Sequence, residues 1–134
     1  MDMSTINWWA VLVAGISSFV LGGVWYSPAL FGNAWMKDNN LTMEEIKKGN
    51  MGKIYGITFI LSLIMSANLA MFLNDAKTDA AWGTTAGFLA GLWVFCAVAM
   101  HGLFEHRPGR LIFINGGYSI VGLMLMGAII GLWR

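Results

Sequence analysis

AAWGTTAGFLAGLWVFCAVAMHGLF, residues 80–104, contains no Asp, Glu, Lys or Arg. About 20 consecutive apolar residues are enough to carry an α-helix across the hydrocarbon of a bilayer. Three other stretches share the property: residues 3–36, 54–74 and 111–133. Inside lipid the backbone must satisfy its own hydrogen bonds, and a helix does so within a single segment. The sequence therefore predicts an all-α fold: a four-helix transmembrane bundle with spans at about 6–31, 54–74, 81–103 and 111–133. One integral-membrane domain takes in residues 1–134.

Composition supports this reading. The chain is 57% hydrophobic and 11% charged, against about 25% charged in an ordinary soluble domain. Its mean hydropathy is +0.65. A net charge of +1 gives no electrostatic basis for nucleic-acid binding. Cys96, the single cysteine, sits within the third span, where a small buried apolar role is expected. The first segment follows an acid and no Lys or Arg, and it is long for a signal sequence. It is read as a spanning helix.

Charge then orients the spans. The connections after the first and third hold Lys37, Lys47, Lys48, Lys53, Arg107 and Arg110. The opposite side holds only Lys77 and Arg134. The positive-inside bias places the basic connections in the cytoplasm and both termini outside. Trp8, Trp9, Trp82 and Trp133 fall at the predicted outer boundary, and Trp25, Tyr26, Trp35 and Tyr55 at the inner one. Amphipathic rings favour such positions. The short connections predict antiparallel pairing of the second span with the third, and of the third with the fourth.

Within the long first connection, Thr42-Met43-Glu44-Glu45 has the form of a capping box. With Leu41 and Ile46 as a staple and Gly49 as a stop, it predicts a short interfacial cytoplasmic helix over about 43–48, between the first two spans.

Gly83, Gly87 and Gly91 recur every four residues, as do Gly127 and Gly131. Small residues at this spacing let helix backbones approach closely in lipid. The Gly83–Gly87–Gly91 stripe is thus a candidate helix-packing or oligomer face.

No charge lies at mid-membrane depth, which argues against a proton-coupled antiporter. Among the neutral polar groups that remain, Tyr26, Ser27, Thr58, His101, Asn115 and Tyr118 fall at one level near the inner boundary. Either they are interhelical hydrogen-bonding groups, or they form a polar pocket open to the cytoplasm. Pro28 lacks an N–H and disfavours helix at Ser27, so the first span should break there and release backbone carbonyls. Tyr118, Asn115 or Ser27 itself could partner them, and Asn115 is the strongest candidate, since its amide both donates and accepts. His101 and Glu105 share a helical face, but two histidines in the whole chain are too few for a typical metal site. Glu105 is expected to pair with Arg107 or Arg110. No metal or cofactor is expected, and no catalytic motif is present.

Several runs carry a family resemblance. They are Asn7-Trp8, Gly22-Gly23-Val24-Trp25-Tyr26-Ser27-Pro28, Phe31-Gly32, Trp35-Met36, Phe104-Glu105-His106-Arg107-Pro108 and Ile114-Asn115-Gly116-Gly117-Tyr118. The chain resembles a bacterial membrane family, domain of unknown function 1761, over nearly its whole length. The resemblance implies a four-helix inner-membrane protein and brings no activity or ligand with it. Three functions are consistent with the sequence. A homo-oligomer in the bilayer would pass a small solute. An accessory subunit would pack beside a larger membrane complex. A lipid-binding protein or membrane enzyme would use the polar groups on the cytoplasmic side.

Overall fold

The computed structural model describes residues 3–133, so Met1, Asp2 and Arg134 lie outside it. The chain is all-α. A 3-10 turn (Met3–Thr5) leads into α1 (Trp8–Trp25), α2 (Gly32–Asp38), α3 (Met43–Lys47), α4 (Met51–Phe72), α5 (Ala80–Phe104) and α6 (Gly109–Leu132). Four of these, α1, α4, α5 and α6, are long and apolar enough to cross a membrane. The chain is a membrane protein with four transmembrane helices.

Local chemistry fixes the helix ends. Asn7 caps α1 by accepting from the amides of Trp9 and Ala10. Asn50 and Asp79 do the same for α4 and α5, and Thr42 accepts from the Glu45 amide to start α3. Each cap satisfies one or more of the orphan donors that open a helix. Gly49 follows α3 without a left-handed φ, because Lys48 closes that helix in ordinary helical geometry.

The first span is shorter than its apolarity suggests. Helix stops at Trp25 rather than continuing to Phe31, and α2 is an extra element that hydropathy does not reveal. In a continuous helix the N–H at position 28 would donate to the Val24 carbonyl, and proline has none. Instead that oxygen accepts from the Ser27 amide at 3.1 Å and the Ser27 hydroxyl at 2.7 Å. The break is repaired locally, by Ser27 and not by Asn115. The turn folds back so tightly that a Cβ on Gly32 would strike the Tyr26 carbonyl oxygen.

α6 holds the assembly together. It packs along α5 over their full length and against α1, which in turn packs on α4. The expected α4–α5 pairing is not one of the main contacts, although a short loop joins them. α5 and α6 meet along glycine. A Cβ on Gly83 would collide with the Gly127 carbonyl, and one on Gly87 with the Leu123 carbonyl. At Gly91 it would lie 2.6 Å from Ile120 Cα. The Gly83–Gly87–Gly91 stripe is therefore occupied within the chain.

The dry core lies at the end that carries the termini. Val11, Ala14, Leu69, Leu73, Leu123, Met126 and Ile130 form it. The fully buried Ser66 hydroxyl donates to the Val11 carbonyl at 2.7 Å across α4 and α1. Asn7 donates to the Trp133 carbonyl, and Thr5 to Asn74, closing this end. Cys96 is exposed on α5, not buried. The spans are apolar on every side, so apolarity does not say which face turns inward.

Candidate functional site

The opposite end, where α1 gives way to α2 and α5 turns into α6, is built from polar and aromatic side chains. Trp25 Nε1 donates to the Ile114 carbonyl at 2.9 Å. The Tyr26 hydroxyl donates to Asn115 Oδ1 at 2.8 Å. The Tyr118 hydroxyl donates to the Ser18 carbonyl at 2.8 Å and lies 3.3 Å from the Ser18 hydroxyl. Tyr26 meets Tyr118 and Trp35 edge-on, with ring centroids 5.6 and 5.9 Å apart. Two glycines make room: a Cβ on Gly22 would press on the Tyr118 hydroxyl at 3.1 Å, and one on Gly117 on Trp25 at 3.3 Å. Tyr26, Asn115 and Tyr118 thus form one knot joining α1 to α6.

The other sequence candidates sit apart from that knot. The Ser27 hydroxyl is spent on its own turn. Thr58 is exposed on α4 and donates back to the Ile54 carbonyl. It shares depth with Asn115 but faces elsewhere. His101 lies on the exposed side of α5 and meets Asn115 across a cleft.

That cleft has a volume of about 240 Å³. Its lining combines polar side chains, Asn39, His101, Glu105, Arg107 and Asn115, with apolar ones, Val98, Leu111 and Ile112. The α5–α6 turn places the charges. His106 adopts φ 57°, a left-handed conformation in which His is enriched among non-glycine residues. The His106 amide donates to the Leu103 carbonyl and the Arg107 amide to the Gly102 carbonyl. These paired bonds end α5 and bring Arg107 back over the opening. Asn40, at φ 55°, ends α2 the same way, with the Leu41 amide donating to the Met36 carbonyl, and it sets Asn39 on the same rim.

Two arginines in this region are held very differently. Arg110 grips Asp38 with both ends of its fork, at 2.6 and 2.9 Å. The Asp38 side chain is only 8% exposed. The hydrogen bond from Arg110 holds the Asp38 carboxyl below the usual carboxylate range. Arg107 touches Glu105 and Asn39 at 3.4 Å each, near the limit for a hydrogen bond. Glu105 thus pairs with Arg107, whereas Arg110 belongs to α2. No spacing rule predicts the Asp38–Arg110 clamp or the role of Asn39. His101 and Glu105 line the same cleft, yet among the described residues no three His, Cys, Asp or Glu side chains converge on a metal position.

Residues 9–131 match the model of the family described as protein of unknown function (DUF1761), and the chain belongs to that family. No curated protein and no solved structure matches it.

Proposed function

We propose that this protein binds a membrane-resident amphiphile through the cleft at the α5–α6 turn. The observation that carries the reading is the cleft's mixed wall. Asn39, His101, Glu105, Arg107 and Asn115 line it together with the apolar Val98, Leu111 and Ile112. Binding sites characteristically combine an apolar lining with a few convergent polar groups. Asn115 lies about 9 Å along α6 from its first residue, at 1.5 Å per residue. The cleft therefore reaches from the helix turn into span depth, as a headgroup with attached chains requires. In this reading the cleft end faces the cytoplasm of a bacterial inner membrane, because the basic connections lie there.

A second reading is favoured by the unpaired outer faces of α4 and α5. Ile60 and Trp93 are 56% and 80% exposed. A homo-oligomer joined through those faces would build a path for a small solute that one copy of four thin helices is too small to enclose. An accessory subunit would use the same faces against a larger complex.

Native mass spectrometry of protein extracted in mild detergent separates these readings. Lipid binding predicts a retained lipid on the wild-type chain that is depleted in Arg107→Gln. A protein free of lipid and measured only as a multimer would support the solute path. A stoichiometric second protein would support the accessory role.

A further inference from the structure

We infer that the headgroup taken by this cleft is zwitterionic, a phosphodiester joined to a primary ammonium, as in a phosphoethanolamine lipid. The inference rests on the amphiphile-binding reading above and adds the ligand's chemistry. The wall carries one formal positive charge, Arg107, and one formal negative charge, Glu105. A ligand of single sign would satisfy one and be repelled by the other. A ligand with both signs meets each with its opposite.

The two groups are also available. They hold each other through one contact at 3.4 Å, with side chains 41% and 59% exposed. A committed pair in the same fold looks different, as the double-bonded Asp38–Arg110 clamp shows. A guanidinium carries five N–H groups, and its planar fork suits the oxygens of a phosphate. Among the described residues Arg107 Nε and Nη1 make only those long contacts, so the fork can turn to a phosphate without breaking a strong bond. The Glu105 carboxylate accepts from an ammonium's three N–H groups. A quaternary choline head has no N–H to give and loses that bond. Next in sequence to the lining residues, Leu103, Phe104 and Phe113 are 67%, 86% and 69% exposed, apolar side chains against which acyl chains can lie.

The test is a headgroup titration with the full chain in detergent micelles. Lipids with identical acyl chains and ethanolamine, choline or glycerol heads are added, and bound lipid is counted by native mass spectrometry. Circular dichroism confirms that each variant is folded. The ethanolamine lipid should bind about tenfold or more tightly than the other two, the scale of one lost charge-assisted hydrogen bond. Glu105→Gln should erase that preference, whereas Arg107→Gln should weaken all three lipids. Equal affinity for the three heads, with binding still dependent on Arg107, would overturn the headgroup assignment and leave the cleft reading standing. Binding insensitive to Arg107→Gln would overturn both. Soluble glycerophosphoethanolamine should displace the lipid only at far higher concentration; displacement at equal concentration would overturn a lipid as the source of the headgroup.

Discussion

Gly87→Ala isolates the contact that holds α5 to α6. The added Cβ would strike the Leu123 carbonyl oxygen and lie 2.6 Å from that carbonyl's carbon and 2.8 Å from Met124 Cα. All three are backbone atoms of a regular helix, so no rotamer change relieves them. Ordinary contact begins near 3.4 Å. α5 must therefore withdraw by about 0.8 Å to clear the carbonyl carbon and by more to clear its oxygen, and a gap of about 0.5–1 Å already forfeits roughly a quarter to a half of each attraction it opens. The loss extends to the Gly83 and Gly91 contacts, one turn away on either side. Overpacking of this kind costs about 1–3 kcal/mol, and lipid supplies no hydrophobic force to push the helices back together. Alanine's better helix propensity returns only about 0.5–1 kcal/mol. The net expectation is a loss of up to about 2.5 kcal/mol against wild type, and of about 1–3 kcal/mol against a variant that has the propensity gain alone. Gly23→Ala is the control, since nothing lies within 4 Å of its Cβ and only the propensity gain applies. Both variants are unfolded by titrating dodecyl sulfate into mild-detergent micelles while helicity is followed by circular dichroism. Unfolding of Gly87→Ala at the same dodecyl sulfate fraction as Gly23→Ala would refute the claim that this stripe is close-packed.

Asn115→Leu removes the acceptor of the Tyr26 hydroxyl and should cost about 0.5–1.5 kcal/mol in the same assay; a stability equal to wild type would mean that the knot contributes nothing. Because Arg110 holds the Asp38 carboxyl below its ordinary value of 3.8, that ion pair stabilises the fold fully above about pH 4. The contribution fades as pH falls through the lower folded value, so wild type should lose stability on acidification more steeply than Asp38→Asn, and parallel pH profiles would contradict this. Alkaline phosphatase fused after the last residue should be active if both termini face outward, and activity of a cytoplasm-only reporter there would reverse the orientation.

The spans were legible because charge is excluded from lipid, a rule that acts residue by residue along the sequence. Caps were legible for a similar reason: Thr42 and Glu45 are close in sequence and meet locally. What stayed hidden depends on azimuth and on distant partners. An apolar helix in lipid has no polar side to mark its outward face, so Thr58 and Asn115 share a depth yet face different ways, and Cys96 turns out to be exposed. Apolarity also runs on through Phe31, which hid the end of α1 at Trp25; proline chemistry marked the break and offered Ser27 among its possible partners, but did not single it out over Asn115. The Asp38–Arg110 clamp spans 72 positions and has no local signature. The cleft needs Asn39, His101 and Arg107 from three separate segments, so only the fold brings it together.

If the cleft at the α5–α6 turn holds an amphiphile by its headgroup, a lipid probe should label it in place. Photo-crosslinking tests it directly. A phospholipid bearing a diazirine beside its phosphate is incorporated into bilayer nanodiscs with the protein, irradiated, and the labelled peptides are mapped. Label should concentrate on Asn39 and on residues 98–115, and should be lost in Arg107→Gln. Label spread evenly over the lipid-facing surfaces of α4 and α5, unchanged by the substitution, would contradict it.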